Sequence, residues 1–562
     1  MTRLLWIEDL QDPGLATSVE ELRRELAGPA EALSGSPALR LQATGDARAV
    51  LSTEADAVVV WADHPLESAV AERLASAGLP VLLAGPSLQA ADPTGLLAEA
   101  AGLHVTGATP VHDVRVHGGP GHPLAARHVH AAGDHVEPHL HVRDRVLLVD
   151  KVRDDVEVLQ QAWVGLAAQP VATWRAATRT AAWTLGARHA AVSSRETALT
   201  VLELLRRITG TASPSAVRVG LLGYGAIGHE HSRAVRAVDG LELAAVCDTS
   251  PERLAAAVAA APGVASSTRA EELLARDDVD LVIVSTPPSS HAEWALRALE
   301  AGKHVILEKP FALETTQADL VMAEAASAGL LVAVYQNRRF DPDHLAVRRA
   351  VRAGLLGELF HVETFVGGYG HPCNLWHSDA GVSGGAFYDW GSHVLDQVLD
   401  LVPGPVEHVT AAAHKLRWFD VTNADHSRVT VRFADGAEAE FVHSDLAAAL
   451  KPRWYVLGTE GALVGQWRTE RIVGRNDIGT LVEDVLAPAD SPPLLDLHAA
   501  DGSVTRLATP ASGAYPFHHE LSDRLRLGLP MSVTAAQSRR VLSVMEAARI
   551  SADTGGRPVE PR

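Results

Sequence analysis

The sequence predicts an α/β protein in three parts. A parallel-sheet domain comes first, a second α/β domain opens on a glycine-rich turn, and an α+β lobe with a largely antiparallel, open sheet closes the chain. Three observations carry this. Apolar strand-like runs alternate with amphipathic helical stretches over residues 4–84, as in βαβ units. Gly223-Tyr224-Gly225-Ala226-Ile227-Gly228 stands between a strand-like and a helix-like segment. After Asn337, strand-like runs follow one another with few helices between them.

Length and composition set the bounds. A chain of 562 residues exceeds what one core supports, roughly 250–300 residues. Apolar content of 47% and charged content of 21% are those of a globular protein. A net charge of −20 argues against a nucleic-acid surface. Cys247 and Cys373 are the only cysteines, which excludes a disulfide framework and a cysteine metal site. The start, MTRLLWIEDLQ, is too short and too acidic for a signal peptide, and no apolar run is long enough to span a bilayer. A cytoplasmic protein is expected.

In the first part, residues 4–7, 39–41, 57–61 and 81–84 read as strands, with a helix capped by Ser18 and Glu21 and another over 65–77. Further strands are expected at 113–116, 146–148 and 181–185, and a closing helix at 197–208. His112, His117, His122, His128, His130, His135, His139 and His141 crowd one stretch. No closely spaced carboxylate or helical i,i+4 pair completes a ligand set there, so no metal is predicted. Thr209-Gly-Thr-Ala-Ser-Pro-Ser215 is a small, uncharged break. It sets the boundaries: residues 1–210, a linker at 211–215, a dinucleotide-binding domain at 216–336 and a substrate and oligomerisation lobe at 337–562.

The glycine loop fits a dinucleotide. Gly223 makes the tight turn, Gly225 lets the backbone approach a diphosphate, and Gly228 permits close helix–strand packing. The next strand, 243–246, is followed by Asp248, which can take the ribose hydroxyls and repel a 2′-phosphate. NAD is therefore expected, and Arg253 nearby leaves NADP open.

Residues 285–310 bring two ligand-facing edges together. A buried strand at 281–284 runs into Ser285-Thr286-Pro287-Pro288. A helix follows, with Ser290 and Glu293 as its expected capping box and Trp294, Ala295, Ala298 and Leu299 as its apolar face. Gly302 ends the helix, and a strand at 304–307 delivers Glu308-Lys309-Pro310 to its carboxyl edge. Lysine is scarce in this chain (Lys151, Lys303, Lys309, Lys415 and Lys451), so one at a ligand edge points to proton chemistry or a placed charge. Asp389 and His393 lie four apart after Gly384-Gly385, on one face of an expected helix. A histidine there is a fitting base for an alcohol proton.

The glycine fingerprint, STPPSSH (285–291), AGKHVILEKP (301–310) and SGGAFYDWGSHVLDQ (383–397) resemble the glucose–fructose oxidoreductase / inositol dehydrogenase (Gfo/Idh/MocA) family. The likeness runs over 216–562. Residues 335–359 are most similar to its scyllo-inositol dehydrogenase branch, and 454–464 and 517–556 to the family's last strands and helices. The resemblance implies Lys309, Asp389 and His393 as catalytic residues. It implies cofactor contacts at Gly223, Gly225, Ala226, Ile227, Gly228, Asp248, Ser285, Thr286, Pro287, His291, Glu308 and Lys309, and substrate contacts at Asn337 and Arg338. Trp376 and His377, just upstream of the Asp-x-Gly-x-His motif, are departures from the family and are expected substrate contacts because bulky aromatics there can stack on a sugar face. Trp390, inside the Asp-x-Gly-x-His motif, departs from the family. Residues 112–127, 168–175 and 179–189 resemble the ThuA-like (trehalose utilisation) family, which implies a flavodoxin-like, class I amidotransferase-like fold. With no cysteine, this domain cannot be a thiol-dependent glutaminase.

The expected activity is NAD(P)-dependent oxidation of a secondary hydroxyl on a sugar, glycoside or inositol, by a homo-oligomer (dimer or tetramer) without nucleic-acid or membrane partners. Two alternatives stand beside it: a redox-neutral epimerase or eliminase with tightly held cofactor, and a cofactor-sensing regulator.

Overall fold

The structure, a computed structural model, describes residues 2–33, 39–76, 78–88, 95–118, 140–185, 192, 195–210, 215–372, 376–466, 469–476, 479–486, 494–509 and 514–562. The linker at 211–214, His122, His128, His130, His135, His139 and Cys373 lie outside them.

The first part is built on a mixed sheet. Strands β1 (Thr2–Asp9), β2 (Leu39–Thr44), β3 (Ala57–Ala62) and β4 (Val81–Ala84) are followed by β5 (Leu103–Ala108), β6 (His112–Gly118), β7 (Leu140–Asp144) and β8 (Leu147–Val152). Strands β9 (Val156–Val164), β10 (Ala167–Arg175) and β11 (Thr180–Trp183) follow, and β5 and β8 pair with each other in a separate two-stranded sheet while the rest form the mixed sheet. The order is β2-β1-β3-β4-β11-β10-β9-β6-β7, and the first five strands are mutually parallel. That is the doubly wound, flavodoxin-like order, with its fifth strand supplied by β11. Strands β3 and β4 are buried on both faces, as expected of a parallel sheet covered by helices. The expected strands at 146–148 and 181–185 appear as β8 and β11. The antiparallel extension through β9 and β10 was not anticipated, because its alternation is broken by Gln160, Gln169 and Thr173, which are polar yet buried.

The first helix, Pro13–Leu33, starts earlier than expected. Asp12 Oδ1 takes the N–H groups of Gly14 and Leu15, while Ser18 bonds back to the Gly14 carbonyl inside the helix. The helix expected over 65–77 is Ser68–Ala75.

The second part is an all-parallel six-stranded sheet in the order β14-β13-β12-β15-β16-β17. Its strands are β12 (Val217–Leu222), β13 (Leu241–Cys247), β14 (Ala265–Ser267), β15 (Leu281–Val284), β16 (His304–Leu307) and β17 (Val332–Val334). The chain reverses direction across the sheet between β12 and β15, which opens a crevice at their carboxyl ends.

In the third part, β18 (Leu359–Gly367), β19 (Val406–His414), β20 (His426–Phe433), β21 (Glu438–Ser444), β22 (Trp454–Gly458) and β23 (Gly461–Gln466) join one sheet. A separate hairpin, β24 (Thr469–Asn476) and β25 (Gly479–Leu486), precedes β26 (Leu494–Ala499) and β27 (Val504–Leu507), which rejoin the main sheet. Every pair is antiparallel except β18 with β21. The helices Ala386–Leu401 and Ala535–Asp553 pack together against this sheet. Val282, Val394, Phe441 and Met545 share one core, so the second and third parts are built as a unit.

The helix Pro516–Leu527 ties all three parts together. Leu521 packs in the core of the second sheet, and Leu529, just beyond the helix, in that of the first. Arg195 of the first part pairs with buried Asp523 at 3.1 Å and donates to the Pro530 carbonyl at 2.6 Å.

Candidate active site

The crevice forms where the sequence places its glycines. Gly223 follows β12 at φ +102°, and a Cβ there would sit 2.5 Å from the Ser285 carbonyl oxygen. A Cβ on Gly228 would sit 2.5 Å from the Gly223 carbonyl oxygen, so the helix Ala226–Ala237 can approach only with glycine there. Gly225 faces open space, nothing lying within 4 Å of its absent Cβ. Tight turn, close helix and clear approach are the three conditions a diphosphate cradle sets, and the N–H groups of the helix's first turn supply its donors. The chain therefore fits a dinucleotide.

Asp248 follows β13. Its carboxylate accepts the backbone N–H of Tyr224 at 2.7 Å and of Ser250 at 2.8 Å, and Arg253 lies 3.6 Å away. It thus braces the glycine loop. Ser285 Oγ donates to the Gly223 carbonyl at 2.9 Å, joining the β15 turn to the loop.

Ser290 does not form the expected capping box. Its hydroxyl donates to the Pro287 carbonyl and meets Thr286 Oγ1 at 2.8 Å, and Glu293 pairs with Arg297. Its backbone is already helical, so the side chain cannot reach back as a cap. His291 is fully buried, 2.8 Å from both the Pro310 and the Thr286 carbonyl oxygens. It fastens the turns after β15 and β16 to each other and lies behind the crevice wall.

The turn after β16 carries Lys309. Its ammonium lies 2.7 Å from Asp389 Oδ1 and 3.5 Å from the Asp389 carbonyl oxygen. Asp389 and His393 share the face of the helix Ala386–Leu401 that turns to a cleft of about 240 Å³. Ser285, Thr286, Glu308 and Lys309 line one side of that cleft, Asn337 and Arg338 another, and Trp376 and His377 the rim. The fold therefore gathers Ile227, Ser285, Thr286, Glu308 and Lys309 of the expected cofactor group and all four expected substrate residues around one space, while Gly223, Gly225, Ala226, Gly228, Asp248, Pro287 and His291 are not among its lining. Burial works against the Asp389 carboxylate, but Lys309, with His377 and His443 nearby, holds it below the usual carboxylate range. His393 is pushed well below the usual histidine range by burial and by the cations Lys309, Arg338 and Arg453. It is therefore a neutral imidazole at neutral pH. Its Nδ1 is enclosed without a partner, which leaves Nε2 for the cleft. The carboxylate four residues before it is engaged by Lys309.

The rim is aromatic. Trp376 stacks on His377 at 3.6 Å between ring centres, and Asn423 holds the His377 carbonyl at 2.8 Å. Trp390, the departure inside the motif, lies under the Arg338 guanidinium at 5.1 Å. Arg338 also reaches Asp341 at 3.4 Å.

Two residues near the site escaped the sequence reading. His443, on β21, is buried and pushed down to about 4 by that burial, with Asp389 opposing. The alternation Ala439, Phe441, His443 puts it on the strand's inner face, a signal present in the sequence. Arg453 is buried and hydrogen-bonded to Gln397, whose amide donates to the Arg338 carbonyl. Nothing local in the sequence distinguishes it.

The comparisons agree with this architecture. Residues 217–336 match the family described as oxidoreductase family, NAD-binding Rossmann fold, and 344–464 match the GFO/IDH/MocA C-terminal domain. The chain is 25% identical over 354 residues to scyllo-inositol 2-dehydrogenase (NADP(+)) IolW of Bacillus subtilis, covering 61% of this chain and 96% of that protein. It is 31% identical over 297 residues to 1,5-anhydro-D-fructose reductase of Ensifer adhaerens, covering 52% and 86%. An NAD-binding protein from Listeria innocua superposes with a TM-score of 0.52 at 29% identity, covering 62% of this chain and 97% of that one. Fold and comparisons together define an NAD(P)-binding oxidoreductase. The chain belongs to the Gfo/Idh/MocA family. Among the described residues, no helix is long and apolar enough to cross a membrane.

Proposed function

We propose that this protein oxidises a secondary hydroxyl of a sugar, glycoside or inositol, or reduces the corresponding ketone, with Lys309, Asp389 and His393 as its catalytic residues. The Lys309–Asp389 pair, set beside a neutral His393 in one cleft at the carboxyl edge of the Rossmann sheet, carries the reading. The names of the two relatives above, an inositol dehydrogenase and an anhydrofructose reductase, support the substrate class.

A bound nicotinamide dinucleotide supplies the acceptor for the carbinol hydride. The neutral His393 ring takes the hydroxyl proton at Nε2. Lys309 steadies the negative charge that develops on the substrate oxygen, and Asp389 holds the ammonium in place. Asn337, Arg338, Trp376 and His377 form the substrate wall, where an aromatic face suits the apolar side of a sugar ring. NAD is favoured by Asp248, although Arg253 at 3.6 Å offers a contact to a 2′-phosphate. The domain limits 1–210, 216–336 and 337–562 belong to the same reading. So does a homo-oligomer formed through the open face of the third sheet, where Tyr455 is partly exposed.

The first part keeps its ThuA-like reading, as a domain that consumes the keto-sugar leaving the dehydrogenase cleft. Keto-sugar accumulating one-for-one with reduced cofactor in the full chain would count against it.

The test is a screen of sugars, glycosides and inositols with NAD and with NADP, following reduced cofactor, beside a Lys309→Ala control. Turnover that the control loses supports the proposal. Turnover that survives in the control contradicts the residue assignment, and cofactor binding without net reduction of any substrate contradicts the reaction.

A further inference from the structure

Beneath the cleft lies a buried set of side chains that the proposed reaction does not use. Glu308, at the end of β16, has both carboxylate oxygens engaged. Oε2 accepts the Lys309 backbone N–H at 3.0 Å, and Oε1 lies 2.9 Å from Nε2 of His231, on the helix Ala226–Ala237. His231 is fully buried, and its Nδ1 lies 2.9 Å from Nε2 of His518, on the helix Pro516–Leu527. His518 is also fully buried, with its far nitrogen, Nδ1, enclosed without a partner.

The bonding rules order the protons along this chain. A carboxylate only accepts, so Nε2 of His231 carries a proton toward Glu308. Nδ1 of His231 then accepts from Nε2–H of His518, and the enclosed Nδ1 of His518 keeps its lone pair. Burial, with His231 and His519 beside it, keeps His518 neutral, which fits that tautomer. The other groups facing the pair are Tyr335, whose hydroxyl donates to Glu230 at 2.8 Å, and Tyr515. Taken as a carboxylate, Glu308 has one N–H on each of its two oxygens.

Glu308 lines the cleft beside Lys309, and the Lys309 ammonium is already matched by Asp389. An oxidised nicotinamide carries a positive charge that the reduced form lacks, so a fixed anion in the wall interacts with the two forms unequally. We propose that His231 and His518 are positioning residues that hold Glu308 as a fixed anion in the cofactor wall and so favour the oxidised over the reduced dinucleotide. This rests on the dinucleotide reading above.

The test measures dissociation constants of oxidised and reduced cofactor for the full-length chain by fluorescence titration. Glu308→Gln, which keeps the shape and removes the charge, should weaken the oxidised form by about tenfold, the loss of one charge-assisted contact, and the reduced form far less. His231→Leu should show the same selective loss, and His231→Gln, which restores an N–H donor near the Nε2 position, should recover the original ratio. Equal loss for both forms, or an unchanged ratio, in Glu308→Gln overturns the inference, and this variant decides the matter if His231→Leu does not fold. Binding of neither form by the unaltered chain overturns the dinucleotide reading and this inference with it.

Discussion

Lys309 Nζ stands 2.7 Å from Asp389 Oδ1, although the two residues come from different parts of the chain, one from a Rossmann strand edge and one from a helix of the closing lobe. The pair spans the junction, so the cleft is complete only when both parts are docked. Lys309→Ala and Asp389→Ala should each lower kcat by about 10²–10⁴, the range for a group acting on a transferring proton or its charge. Substrate-saturation kinetics on folded protein check this.

His393 is held neutral by burial and by Lys309, Arg338 and Arg453. The proposed base works only unprotonated, so oxidation should persist below the usual histidine range and fail at lower pH. Replacing Arg338 with Met removes one opposing cation and should move the acid limb of kcat/KM toward higher pH. A limb that stays in place would separate His393 from the proton step.

Gly223 and Gly225 should fail differently. Gly223→Ala puts a Cβ 2.5 Å from the Ser285 carbonyl oxygen at a positive φ, so it should lower the melting temperature and weaken cofactor binding together. Gly225→Val meets no protein atom near its Cβ, so it should leave melting within a few degrees while abolishing cofactor binding. Melting curves paired with cofactor titration separate the two.

Much of this fold is recoverable from local pattern because local pattern made it. The glycine loop, the buried strands 281–284 and 304–307, and the helix bearing Asp389 and His393 are fixed by backbone sterics and periodicity within about 30 residues, the span of a βαβ unit. The capping box at Ser290 failed because its hydroxyl found the Pro287 carbonyl instead, a contact local sequence does not specify. Arg453 and the His231–His518 pair were invisible for a related reason. Their partners lie far along the chain, His231 and His518 being 287 residues apart.

Arg195 and Asp523 provide a handle on the domain interface. Asp523 is buried while Arg195 is about a quarter exposed, so removing the arginine should cost about 1–3 kcal/mol. Chemical denaturation of Arg195→Ala reads this out, and no loss would mean that the Arg195–Asp523 pair adds nothing to the hold on the first part.

Stability should also fall in acid. His291, His344, His393 and His518 are all pushed below the ordinary histidine value of 6.5, chiefly by burial. The unfolded chain therefore binds more protons than the folded one as pH falls through 6.5, which favours unfolding. Asp341 and Asp445, pushed up to about 6 by burial, act in the opposite sense and offset part of the loss. Denaturation midpoints at a series of pH values below neutrality test the net sign.

In the proposed reaction a hydride leaves a carbinol carbon of the sugar or polyol for the nicotinamide, with Lys309, Asp389 and His393 attending the oxygen. The direct measurement is mass spectrometry of the reduced cofactor after turnover of a substrate deuterated at its carbinol carbons. Deuterium in the released reduced cofactor, lost in His393→Asn, is the predicted result. Deuterium returned to the sugar with no net cofactor reduction would contradict the account and establish a redox-neutral reaction instead.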